Sequence, residues 1–181
     1  EGMALIGNFR NFFTAVQSIA TLGIYNGLVK YISEFKNNAF QLSKTLSTGY
    51  YLGFISTIFI SFFCYYNAET LNNFLFSSNY NYAYIIKLIA FALPFYALNV
   101  FSFSIMNGFS KYRILMVINI IGQTLGLMVT LVLIYQNRID GALISVIISP
   151  SLMFLITLVG IINRKSLVPS IQISRLDFDL F

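Results

Sequence analysis

Arg10, Thr14, Gln17 and Thr21 follow one another at intervals of 4, 3 and 4 residues within an otherwise apolar run from Met3 to Tyr31. In a helix that spacing puts a guanidinium, two hydroxyls and an amide on one face. Asn11, Ser18 and Tyr25 widen the stripe, while Phe9, Phe12, Val16, Ile19 and Ala20 occupy other directions. A fixed cation with hydrogen-bonding neighbours suits phosphate oxygens or sugar hydroxyls. Such a wall binds; it does not make or break bonds. General acid–base work needs positioned carboxylates or imidazoles, and the chain has no histidine. Its acids, Glu1, Glu34, Glu69, Asp140, Asp177 and Asp179, fall in polar joints or tails. The lone Cys64 permits neither a disulfide framework nor a zinc cluster, and no glycine-rich phosphate loop is present. The expectation is a protein that is not an enzyme and carries no metal or other cofactor.

Similar devices recur downstream. Asn119, Gln123, Gly126 and Thr130 repeat the intervals of 4, 3 and 4. Gly122 and Gly126 within them form a small-residue motif that lets helices approach closely, so this face reads as a packing surface or a ligand contact. Gly49, Gly53 and Ser56 form another small-residue face, read as packing. Pro94 stands inside an apolar run ahead of Tyr96, Asn99 and Ser102, and Pro150 follows Ser149 in another. A proline within a helix removes a hydrogen bond and bends the axis, so both are hinge candidates or static kinks. Lys87 either joins Arg10 in drawing an anion or is an ordinary interfacial lysine. Arg10 likewise lines a cavity or snorkels to headgroups.

The elements that would position these residues are spans. The 181 residues are 57% hydrophobic and only 9% charged, with a mean hydropathy of +0.77. A soluble domain carries about 25% charged residues, and so few could not cover its surface. Runs at about 3–31, 46–66, 83–109, 114–135 and 142–162 each reach the roughly 20 residues that a bilayer demands. They are too long, and too little alternating, for strands. The fold class predicted is all-α, a polytopic transmembrane helix bundle of about five spans occupying residues 1–164, with a cytoplasmic linker over 165–181. The net charge of +5 is scattered among apolar runs rather than gathered in a stripe, which argues against nucleic acid.

Lys and Arg set the orientation. Taking the joints alternately, one side receives Lys30, Lys36, Lys44, Lys111, Arg113, Arg164, Lys165 and Arg175; the other receives Arg10, Lys87 and Arg138. The first side is expected in the cytoplasm, with residue 1 outside and residue 181 inside, and an odd number of spans before Glu1. The stretch GIYNGLVKYISEFK then reads as a membrane exit at Lys30, with Gly23 and Gly27 weakening the helix near its end.

At these residues the sequence resembles a family. ALIGNFRNF followed by LGIYNGLVKYISEF resembles the second span of Wzx-type flippases, in the multidrug/oligosaccharidyl-lipid/polysaccharide exporter superfamily. IMNGFSKYRILMVINIIGQTLG resembles that family's fourth-to-fifth span junction, and RIDGALISVIISPSLMFLITLVGIINRKSLVP its sixth span. Similarity is greatest to flippases of O-antigen and enterobacterial-common-antigen type. The resemblance implies a fragment: part of the N-terminal lobe of a twelve-helix flippase in the bacterial inner membrane, with a second lobe beyond. It implies an undecaprenyl-diphosphate-linked oligosaccharide as substrate, moved for surface polysaccharides such as lipopolysaccharide O-antigen, by alternating access with an ion gradient. Membrane lipids and other glycan-assembly proteins are the implied partners. Arg10 and Lys30 become candidates for a cationic route past the diphosphate, with Asn11, Thr14, Gln17, Thr21, Tyr25, Asn99, Asn119 and Gln123 as further cavity candidates. A multidrug or small-molecule exporter of the same superfamily is the alternative, although such exporters more often carry an acid inside the first lobe. An embedded glycan polymerase or transferase would be expected to show larger loops or intramembrane acids.

Overall fold

The computed structural model describes residues 2–76 and 81–162, and among them every regular element is an α-helix. The expectations for Glu1, for the basic exit at Arg164 and Lys165, for Arg175 and for the linker over 165–181 lie outside the described residues. The helices are α1 (Gly2–Ala20), α2 (Ile24–Phe35), α3 (Ala39–Tyr66), α4 (Ala68–Phe76), α5 (Ala83–Gly108) and α6 (Tyr112–Ile162). Helix α6 is two limbs joined at Asn137 and Arg138, whose backbone leaves the helical region.

Helices α3, α5 and α6 are long and apolar enough to cross a membrane, and α1 with α2 meets the same test as a bent pair. Their outer faces carry exposed Phe59, Phe62, Phe91, Met116, Ile120, Leu127, Leu131 and Val159. Water would not tolerate so continuous an apolar exterior; a lipid surround requires one.

Helix α5 is the central element, packed against α1, α2, α3, α4 and α6. Its Ile85, Ile86, Ile89 and Leu93 are fully buried against Phe9 and Phe13 of α1 and Leu143 and Ile147 of α6. A second cluster joins Leu28 and Ile32 of α2 with Leu42 of α3 and Ile105 of α5. The close approach of α2 and α5 depends on Gly108, where an added Cβ would fall 2.6 Å from Ile32 Cβ.

Two features depart from the expected spans, while the YQNRID joint falls between the two runs it was expected to separate. The first run is not one helix: it breaks between α1 and α2, which are bent by 44°. The joint after α3 folds into α4, whose Phe76 packs on Phe9 with ring centroids 5.8 Å apart. Asn72 of α4 is buried and accepts the Tyr82 backbone N–H at 2.7 Å, which fixes the approach to α5. The YQNRID joint is a tight reversal. Arg138 adopts φ 47°, ψ −113°, the first central position of a type II′ turn, where glycine is preferred. Gly141 then passes so close to the Leu133 carbonyl that any side chain would collide with it. The limbs of α6 run back along each other: Gly126 faces Ser149, Gly122 faces Met153 and Gly160 faces Ile118.

Candidate functional site

The polar stripe of α1 is its buried stripe displaced by one residue. Phe9, Phe13, Val16 and Ala20 are buried, and they too stand at intervals of 4, 3 and 4. A shift of one residue is about 100° around the helix, so Arg10, Thr14, Gln17 and Thr21 flank the packed face. Arg10, Asn11 and Thr14 are exposed, whereas Gln17 and Thr21 are buried. The Thr14 hydroxyl donates to the Arg10 carbonyl at 2.9 Å and that of Thr21 to the Gln17 carbonyl at 2.8 Å. The stripe thus begins on an open surface and ends inside the bundle.

Its inner end is the elbow. The Gly23 N–H donates to the Ser18 carbonyl at 3.2 Å and the Leu22 N–H to that of Ile19 at 3.1 Å, the two bonds of a Schellman stop. Leu22 takes the left-handed position at φ 51° and Gly23 follows at φ 60°. Glycine does this freely; a leucine there is strained. Helix α3 covers the exposed carbonyl end. Ser56 donates to the Ile19 carbonyl at 3.2 Å, and the Thr57 proton lies between the Ala20 carbonyl at 3.0 Å and the Gly53 carbonyl at 2.6 Å. Beside this junction a small crevice of ≈ 40 Å³ is lined by Thr21, Leu28, Gly49, Gly53, Thr57 and Pro94. Helix α5 continues through Pro94, so the proline ring fills space beside the elbow without ending its helix.

Beyond the elbow, Tyr25 accepts a hydrogen bond from the Asn107 amide at 2.8 Å, tying α2 to α5. Lys30 is exposed, its ammonium 5.7 Å from the centroid of the Tyr31 ring. The other candidates lie elsewhere. Asn99 is buried in α5 and accepts the Thr157 hydroxyl at 2.7 Å, an internal tie between α5 and the second limb of α6. Asn119 is half-buried and Gln123 exposed on the first limb. Gln123, Thr130, Ser149 and Pro150 border an open groove of ≈ 630 Å³ along the α6 limbs. There Ser149 donates to the Gly126 carbonyl at 3.2 Å, so the glycine motif packs the limbs together while Gln123 looks outward.

The structure therefore gathers Gln17, Thr21 and, across the break, Tyr25 near one elbow, with Arg10, Asn11 and Thr14 on the same helix leading away from it. It places Asn99, Asn119 and Gln123 in other layers. Sequence reasoning missed Thr57, Asn107 and Thr157, each of which completes a tie between helices. A hydroxyl or amide inside an apolar run was the available signal, but its partner lies 37 to 82 residues away. No group of three or more His, Cys, Asp or Glu side chains among the described residues could hold a metal ion.

No family model matches the sequence, and no solved structure matches it. Two curated relatives do. The chain is 26% identical over 165 residues to the Lipid III flippase of Escherichia coli (strain K12), and equally to that of Shigella flexneri. The alignment takes in 90% of this chain and 39% of each relative's length. An all-helical chain with membrane-length apolar helices is thus similar, along most of its length, to part of a lipid flippase, a transporter rather than an enzyme.

Proposed function

We propose that this chain is part of an inner-membrane flippase that carries an undecaprenyl-diphosphate-linked oligosaccharide between leaflets for surface polysaccharide synthesis. The observation that carries this reading is the similarity to the two Lipid III flippases over 90% of the chain. The geometry of α1 supports it. A guanidinium on an exposed helix face suits a diphosphate, since arginine offers paired donors to phosphate oxygens and keeps its charge in every setting. The hydroxyls and amides that follow toward the elbow suit sugar oxygens. A broken helix at membrane depth is a recurrent feature of transporters, tolerated where protein covers its freed backbone groups. Ser56 and Thr57 supply that cover here. The basic residues of α2, α3 and the α5–α6 joint favour the cytoplasm for that end of the bundle.

The test is complementation. The full-length protein that contains this chain is expressed in bacteria lacking their own Lipid III flippase, and the retained lipid-linked intermediate is measured beside the surface glycan. Release of the intermediate and return of the glycan are expected. An intermediate still retained while the protein reaches the membrane at a normal level overturns the reading. Drug resistance gained in the same cells would favour the small-molecule exporter.

A further inference from the structure

Among the described residues two buried side-chain atoms have no hydrogen-bond partner: Gln17 Nε2 on α1 and Ser61 Oγ on α3. They belong to one seam. Helices α1 and α3 touch where the Thr57 hydroxyl reaches the Ala20 carbonyl, and at its other end α1 meets Phe76, beyond α3, through Phe9. The two helices are therefore antiparallel. Gln17 stands about one turn from Ala20, and Ser61 about one turn from Thr57, both toward the Phe9 end. An amide donor and a hydroxyl thus occupy the same level of the same interface. Buried polar groups nearly always find partners, and one left without is costly.

At its inner end the seam is closed by the Ser56 and Thr57 hydroxyls on the Ile19 and Ala20 carbonyls, beside a strained hinge. Leu22 closes α1 in a strained left-handed conformation, and the crevice beside Pro94 borders the junction. Toward the other end the polar stripe is already open at Arg10 and Thr14. Parting α1 from α3 by one turn would extend that open stripe to Gln17 and relieve both unpartnered atoms.

We propose that the α1–α3 seam is a closed binding site. It opens about Leu22 and Gly23, and the Gln17 amide and Ser61 hydroxyl then hydrogen-bond an oxygen of the transported headgroup. The ligand rests on the flippase reading; the opening does not. The test is cysteine accessibility in the full-length protein with Cys64 replaced by alanine. Gln17→Cys and Ser61→Cys are each exposed to a membrane-impermeant maleimide in vesicles, with Thr14→Cys as the exposed control. Slow labelling is expected at both positions. Thr57→Val, which removes the hydroxyl bond closing the seam, should speed it by about tenfold, the worth of one such bond. Leu22→Gly, which relaxes the bent form, should slow it. Pyrophosphate or glucose at millimolar concentration is then added as the probe: protection by either supports the ligand assignment and says whether phosphate or sugar oxygens are taken, and protection by neither overturns it. If both cysteines stay inert in every background while Thr14→Cys reacts, the seam is static core and the opening is wrong. Labelling that responds in a protein failing complementation would sink the flippase reading alone.

Discussion

Thr157 of the second α6 limb donates its hydroxyl to the Asn99 side-chain oxygen of α5 at 2.7 Å, and both residues are buried. The same hydroxyl lies 2.8 Å from the Met153 carbonyl one turn back, so a single proton serves two acceptors. Asn99, which the sequence offers as a cavity residue, is occupied in holding two helices together.

The first prediction follows from that pair. Thr157→Val keeps the side-chain shape and removes the donor, leaving the Asn99 oxygen unpaired in the core. Interhelical hydrogen bonds in membrane proteins average about 0.6 kcal/mol and reach about 1.7; burial of both partners places this one toward the upper figure. Thermal unfolding of the full-length protein in detergent should register a loss of about 1 kcal/mol. Adding Asn99→Leu should recover part of it, because the orphaned oxygen goes too. A double variant less stable than the sum of the single ones would count against an isolated tie.

A second prediction separates two glycines of the α6 hairpin. A Cβ at Gly126 would stand 3.2 Å from Ser149 Oγ, a side chain able to rotate away. A Cβ at Gly141 meets the Leu133 backbone instead, and backbone cannot retreat without undoing the reversal. Gly126→Ala should cost under about 1 kcal/mol, and Gly141→Ala about 3 or more, at the upper end of overpacking effects. Yield of monodisperse protein and unfolding temperature would both report the contrast, and equal losses would refute it.

These two cases mark what could be read in advance. Composition and run length determine an all-helical membrane bundle, because lipid leaves the backbone few alternatives. The α1 stripe was legible because its side chains share one helix and the interval alone aligns them. The elbow was half legible: Gly23 and Gly27 announced weakness, but the left-handed residue is Leu22, which nothing in its type betrays. The role of Asn99 was illegible, since it depends on a partner in another helix, Thr157, chosen by packing geometry; the packing role of Gly126 was readable from its glycine motif, but not its partner Ser149. Helix α4 hid in a polar joint because nine residues offer too short a period to stand out.

The α6 turn supplies a third prediction. Arg138 holds φ 47°, ψ −113°, a sparsely populated region that costs an ordinary residue about 1–3 kcal/mol. Glycine removes that strain and adds roughly 0.5–1 kcal/mol of unfolded-chain entropy. Arg138→Gly should therefore raise stability by a net amount of about 1 kcal/mol, and Arg138→Val should lower it. If glycine destabilises the hairpin, the arginine contributes a contact beyond its backbone.

The last prediction concerns Arg10 and distinguishes a binding wall from a snorkelling side chain. Arg10 is exposed while its neighbours at Phe9 and Phe13 are buried, so replacing it leaves the packed face of α1 untouched, and Arg10→Ala should insert and fold normally. If the guanidinium meets phosphate oxygens during transport, losing a charged hydrogen bond should slow glycan export by about ten- to a hundredfold. Arg10→Lys should restore only part of the rate, since an ammonium keeps the charge without the paired donors. A residue that merely reaches headgroups would behave differently, because lysine snorkels as well as arginine. Export from cells carrying each variant, normalised to membrane level, decides the matter: full activity in both Arg10→Ala and Arg10→Lys would remove Arg10 from the binding wall.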